Sequence, residues 1–476
     1  MAARGREVAS RLFVVLDQGG RSSRALVFDE AGTVVASARR SVRETRAGPR
    51  VELPAEALVR SLETCLEKVR RELGGNAARV ASAALATQRA TIVAWDRTTG
   101  RALTPAISWQ DRRAAAWLRR LEPRAREIAT ITGLRLSPHY GANKLRWCLA
   151  RLPEVRRARR EGRLAIGPLS SFLTFRLTRE GACVADPANA GRTLLVDARR
   201  GDWSPALLDA FGIPRDVLPE IVPTRAAHGT IAWGTRALPL QVVSGDQSCA
   251  LFAFGEPDPE VAVVNFGTGA FVQRPVGWMP RDRRGLLSSV VFADRARTVR
   301  VLEGTVNGGA AAIDLVADRL GMRDPRRALD ALPDADGPLV LNAVSGLAAP
   351  FWRPDATSVF VGRGTPVEKL RAVAESIVFL VAVNLERIDA LAGRTRSIVA
   401  TGGLSRVDAL CRGLADLTGR VVTRPAEVEA TAQGAAFLLG ARAPDRVGDD
   451  FDPRDGAALR RRFRRWRREL DRRLGA

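Results

Sequence analysis

One arrangement constrains this chain more than any other: a strand, a glycine turn and a second strand, found over 12–29 and again over 261–277. The first copy reads LFVVLDQGGRSSRALVFD and the second VAVVNFGTGAFVQRPVG. In both, apolar β-favouring runs flank glycine and hydroxyl residues, the pattern of a hairpin. After the first come strand VVASARR (34–40), a helical period over 54–73 behind a proline, and strands RVASAALATQ (79–88) and TIVAWD (91–96). After the second come strand TVRVLEG (298–304), a helix beginning near Gly308 and a long helix over 367–393. Strand SIVATGG (397–403), a helix over 406–417, strand RVVTRP and a helix over 429–440 complete the series. The fold class expected is α/β, built as a duplicated βββαβα unit with a ligand cleft between the copies. The boundaries expected are a disordered leader over 1–10, an N-terminal domain over 11–244, a C-terminal domain over 245–442, and a basic tail and helix over 443–476.

A chain of 476 residues is long enough for two or three cored domains. No apolar run reaches the length of a membrane span; SIVFLVAVNLERI (376–388) comes nearest and breaks at Asn384. The five cysteines are scattered and lack CxxC spacing, so no zinc site or disulfide framework is expected, and a reducing compartment, the cytoplasm, is. The net charge of +23 is nearly all arginine spread along the chain, since lysine occurs only at positions 68, 144 and 369. Such spread argues for compositional bias over a nucleic-acid or membrane face, and neither partner is expected. In the basic run 459–476, Leu459, Phe463, Trp466 and Leu470 recur at helical spacing, which predicts an amphipathic helix docked on the body.

Backbone N–H groups in a glycine turn can meet a phosphate with no Cβ in the way. DQGGRSS and FGTGAF, in equivalent places of a repeated unit, therefore suit a polyphosphate, although either alone is only a hairpin turn. Asp17, at the mouth of the first, suits magnesium, which takes hard oxygen ligands and keeps several waters. VVSGDQSCALFAFG (242–255) runs a strand into Asp246 and then a helix. A carboxylate there is placed to accept the proton of an attacking hydroxyl; the ordinary alternative is a helix N-cap.

Taken together, these stretches resemble the FGGY family of carbohydrate kinases, glycerol-kinase-like branch. The resemblance runs from about residue 11 to about 440. It is carried by LDQGGRSSRALVFD, TQRATIVAWD, SWQDRR (108–113), TGLRLSPHYGANKLRW (132–147), DPANAGRTLLVD (186–197), SGDQSCALF, NFGTGAF, LEGTVNGGAAAI, SGLAAPFW (345–352) and TGGLSRVDALCRGLADLTG (401–419). It implies two actin-like, ribonuclease-H-like domains closing on ATP and a small polyol or ketose. Asp246 then matches the catalytic base. Arg89, Trp109, His139, Gln247 and Phe271 match the substrate side together with Asp246. Gly19, Gly20, Arg21, Ser22 and Arg24 match the first phosphate turn, and Gly267, Thr268 and Gly269 the second. Ala310, Asp314, Gly402, Gly403 and Asp408 match further nucleotide positions. Asp17 matches a residue near Mg²⁺, holding it directly or through water. A homodimer or homotetramer is expected.

The departures bear on the substrate. The glycerol-kinase turn D-Q-G-T-T-S-S-R has Gly20 and Arg21 in place of its threonines, removing two hydroxyl donors. The glutamate of Q-R-E-T, which accepts from glycerol hydroxyls, is Ala90 here. His139 stands where a tyrosine flanks glycerol. Loss of a hydroxyl acceptor favours a larger polyol or a ketose over glycerol. The alternative function is a catalytically weak homologue that senses or scaffolds around bound nucleotide or sugar. The acceptor, its hydroxyl and the oligomeric state stay open.

Overall fold

The computed structural model describes residues 10–475 apart from 281, 324, 326, 330–336, 427, 428 and 446. Most of the expected leader (1–9) lies outside the described residues. The chain forms two compact units, each discontinuous in sequence: Met1–Glu256, Ser289–Val299 and Val428–Asp445 in one, Pro257–Ser288, Arg300–Glu427 and Arg446–Ala476 in the other. The first unit runs through the helix at Asp246–Ala250, and helix Ala430–Leu439 returns to it. Packing explains the return. A Cβ on Gly434 would stand 1.8 Å from the Cys249 carbonyl oxygen, so only glycine lets this helix lie against the backbone after Asp246.

The first unit is built on a six-stranded sheet, edge to edge Val34–Ser41, Ser22–Asp29, Leu12–Gln18, Val80–Thr87, Arg236–Gly245 and Thr230–Trp233. The first three strands meander antiparallel, while Leu12–Gln18, Val80–Thr87 and Arg236–Gly245 run parallel. Helix Ala55–Leu73 buries Leu58, Val59, Leu62, Cys65, Leu66 and Val69 on this sheet, one face at helical period. At about 1.5–3 kcal/mol for each large apolar side chain, that face is what holds the helix down. TIVAWD does form a strand, Ile92–Asp96, but it joins a separate five-stranded sheet and pairs with Leu164–Pro168. The left-handed backbone of Ala90 (φ 60°) turns the chain out of the first sheet just before it.

The second unit repeats the order. Thr298–Val306, Ala270–Val276, Val261–Phe266, Ser397–Thr401 and Val422–Pro425 lie side by side, the first three antiparallel and the last three parallel. Gly448–Phe451 extends the sheet beyond Val422–Pro425. The duplication read from the sequence is thus a duplication of strand order and sense. Helix Pro366–Ala392, with a Thr365/Glu368 capping box, fills the core of this unit. The terminal helix Ala457–Leu474 docks as its spacing predicts, burying Phe463, Trp466 and Leu470 against the same core. Arg462, buried beside them, is held by Glu375 and by the Gly337 and Pro338 carbonyls. Among the described residues no helix is long and apolar enough to cross a membrane.

Candidate active site

Ligands of parallel α/β sheets bind beyond the carboxyl ends of the strands. In the first unit three parallel strands end at Gln18, Thr87 and Gly245, and the site residues follow directly: the Gly19–Gly20 turn, Arg89 and Asp246. Asp17 and Ser244 both pair in register with Ala86, so the last residues of the outer strands flank one central position.

Asp17 is 2% exposed, and its Oδ2 accepts from Arg24 Nη2 at 2.7 Å across the hairpin, where the two residues are register partners. The other arm of Arg24 pairs with Glu429. Burial pushes the Asp17 carboxyl up to about 6; Arg24 opposes the rise, while the negative charges of Asp246 and Glu429 add to it. Asp246 begins the helix after Gly245 and does not cap it through its side chain. Its Oδ1 accepts from the Gln247 N–H at 2.7 Å and its carbonyl from Thr431 Oγ1 at 3.3 Å. Burial raises its pKa, with Arg89 and Arg192 favouring the charged form. Arg89 Nη2 donates to Gln247 Oε1. A carboxylate so placed is more basic than an exposed one and still meets two cations, which suits a proton acceptor.

The first turn is closed by Gly19 N–H to Ser22 O at 3.0 Å and tied to the next strand by Gln88 N–H to Gln18 O at 2.9 Å. Gly19 and Gly20 are partly exposed, Ser22 is buried and the Arg21 side chain is exposed. Trp109 is 41% exposed, unlike a core tryptophan, and its ring centroid lies 6.2 Å from that of His139. His139 Nε2 accepts from Arg112, which can only donate, so Nδ1 is left to donate to Ser137 Oγ. Burial, with Arg112 and Lys144 nearby, lowers the pKa of this imidazole to about 4, so it is neutral at pH 7.

The remaining predicted residues lie in the second unit. Strand Val261–Phe266 ends in the Gly267–Thr268–Gly269 turn, whose carbonyls are taken by the start of helix Ala310–Arg319. Thr268 O accepts from Gly309 and Ala311, and Gly267 O from Ala310. The Thr268 side chain is exposed beside the start of that helix, whose leading amides are already spent on the turn carbonyls. Gly402 follows the parallel strand Ser397–Thr401 at φ 87°, and a Cβ there would lie 2.5 Å from Phe266 O. The two glycine segments are thus packed together at one sheet end, Asn265 Nδ2 donating to Thr401 Oγ1 beside them. Phe271 is partly buried, and Asp314 is exposed. Asp408 is exposed and pairs with Arg424 at 2.6 Å.

Sequence reasoning missed Glu429, Thr431 and Arg192. The first two come back to the Asp246 end of the first unit from a helix read as part of the second domain. Arg192 stands in DPANAGRTLLVD, where its arginine was the available signal. Among the described residues no group of three acidic, histidine or cysteine side chains could cage a metal. A single buried carboxylate fits a hydrated Mg²⁺ and does not fit an all-protein site.

The model of the FGGY family of carbohydrate kinases, N-terminal domain, matches residues 12–253, and that of the C-terminal domain matches 262–443. The chain is 37% identical over 441 residues to a glycerol kinase of Alkalilimnicola ehrlichii, covering 89% of each, and 38% identical over 442 residues to a glycerol kinase of Trichlorobacter lovleyi, covering 90% and 89%. Its fold matches the crystal structure of Plasmodium falciparum glycerol kinase with ADP at a TM-score of 0.89, with 23% identity and 97% and 98% coverage. It matches a Brucella ovis xylulose kinase at 0.88, with 21% identity and 96% and 98% coverage. On duplicated topology, matched domains and shared sequence alike, the chain belongs to the FGGY family of carbohydrate kinases.

Proposed function

We propose that this carbohydrate kinase transfers the terminal phosphoryl group of ATP to a hydroxyl of a small polyol or ketose, with Asp246 as general base. The observation that carries the reading is the setting of Asp246: a carboxylate of raised pKa at the end of a parallel strand, with Arg89 and Gln247 beside it. The acceptor hydroxyl gives its proton to a carboxylate oxygen of Asp246 as the hydroxyl oxygen attacks phosphorus; positioning and charge neutralisation do the rest. Arg89, Trp109, Gln247 and the neutral His139 orient the acceptor. The Gly267–Gly269 turn, with the exposed Thr268 hydroxyl, binds terminal phosphates, and Gly402, Gly403 and Asp408 serve the adenosine end. Asp17 would hold Mg²⁺ through water, and the ion, when bound, neutralises phosphate charge.

Ala90 offers no acceptor to a glycerol hydroxyl, which favours a ketose or longer polyol as substrate. The cytoplasm is the expected location. ADP release from the purified protein with ATP, Mg²⁺ and a panel of glycerol, pentitols, D-xylulose and D-gluconate tests the reading. Turnover with a ketose or pentitol supports it, and no turnover with any acceptor refutes it.

A further inference from the structure

Lysine is rare here, and one of the three lysines is fully buried. Lys144 lies on helix Gly141–Arg151 with 0% of its surface exposed. Its Nζ donates to three main-chain carbonyls: Ala90 at 2.8 Å, His139 at 2.9 Å and Ser108 at 3.1 Å. Burial pulls its pKa down to about 7; three carbonyls, which can only accept, favour the ammonium form, whose three donors are all spent on these oxygens. The carbonyls come from three segments distant in sequence, and each belongs to a candidate acceptor-binding residue or its neighbour: Ala90 follows Arg89, Ser108 precedes Trp109, and His139 is itself one.

A second observation gives the contact a purpose beyond packing. Ala90 is held left-handed at φ 60°, a conformation that is unfavourable for a residue bearing a Cβ. Such a turn persists only where its surroundings hold it. Lys144 supplies the bond to its carbonyl, and the next residue adds another, Thr91 Oγ1 accepting from the Trp109 N–H at 3.2 Å.

We infer that Lys144 is a positioning residue for the acceptor site: its ammonium gathers the Ala90, Ser108 and His139 carbonyls and so fixes Arg89, Trp109 and His139 relative to one another. It touches no substrate. The inference rests on those three residues forming the acceptor wall, and a displacement of about 1 Å in such a wall can cost about 10²-fold in rate.

The test uses full-length protein and whichever of glycerol, D-xylulose and D-gluconate the wild type turns over fastest. Lys144→Met keeps the length of the side chain and removes every donor. The expected result is a rise of about tenfold or more in the acceptor KM with the ATP KM within about twofold, and an intermediate acceptor KM for Lys144→Gln, which restores two donors. An unchanged acceptor KM, or acceptor and ATP KM rising together, overturns the inference. So does failure of both variants to fold, which would make the lysine a core-stability residue. Arg89→Ala and Trp109→Ala separate this from the underlying reading. If they raise the acceptor KM and Lys144→Met does not, only the inference falls; if they leave it unchanged, the wall itself is misassigned.

Discussion

Asp17 and Asp246 reach the same end of the first sheet from opposite sides of one residue: Asp17 and Ser244, two positions before Asp246, both pair with Ala86. One carboxylate is tied to Arg24, and the other faces Arg89 and Arg192. Two acids with separate partners at one sheet end can divide the work, one near the metal and one at the hydroxyl.

The Asp17 carboxyl titrates at about 6, above its ordinary 3.8, because it is buried. Raised in this way it is charged above that pH and neutral below it, so any part it has in holding Mg²⁺ fades on acidification. The apparent KM for Mg²⁺ of Asp17→Asn should exceed that of wild type by about tenfold at pH 7.5, and the ratio should approach one near pH 5. Taking the ratio cancels the titration of ATP itself. A ratio independent of pH would remove Asp17 from the metal site.

Ala90 is where the acceptor preference is most easily moved. Wild type should favour a ketose or pentitol over glycerol by about tenfold or more in kcat/KM, and Ala90→Glu should narrow that gap by lowering the glycerol KM about 10–100-fold. Steady-state kinetics on both acceptors decide it. No gain toward glycerol would mean that the residue after Arg89 does not face the acceptor.

Gly434 holds a helix against the one that Asp246 begins. In Gly434→Ala the new methyl would stand 1.8 Å from Cys249 O, so backbone must move. A loss of about 1–3 kcal/mol in stability is expected, with lower kcat because the Asp246 helix is the part that shifts. Thermal unfolding and kcat measured on the same preparation test this; wild-type values for both would show that the interface is loose.

Much of this was legible because short-range pattern decides it. The hairpins at 12–29 and 261–277, the helix at 55–73 and the terminal helix with Phe463 and Trp466 inside all follow from periodicity and turn residues. The corner at Asp246 was legible because a strand runs straight into it. What stayed hidden depends on pairing between distant segments. Whether Ile92–Asp96 joins the first sheet turns on the left-handed Ala90, and alanine gives no warning of that conformation. Helix Ala430–Leu439 lies between two segments of the second unit in sequence and packs in the first, as the fit of Gly434 on Cys249 O and the Thr431–Asp246 hydrogen bond show. Lys144 looked like any helical lysine until three carbonyls closed on it.

The most direct test of the account is turnover by Asp246→Asn, measured as ADP release with the preferred acceptor alongside ATP binding. The asparagine keeps size and hydrogen bonding but cannot take a proton. The account predicts kcat lower by about 10²–10⁴-fold with the nucleotide Kd within about twofold of wild type. Turnover equal to wild type would contradict it and leave the attacking hydroxyl without its base.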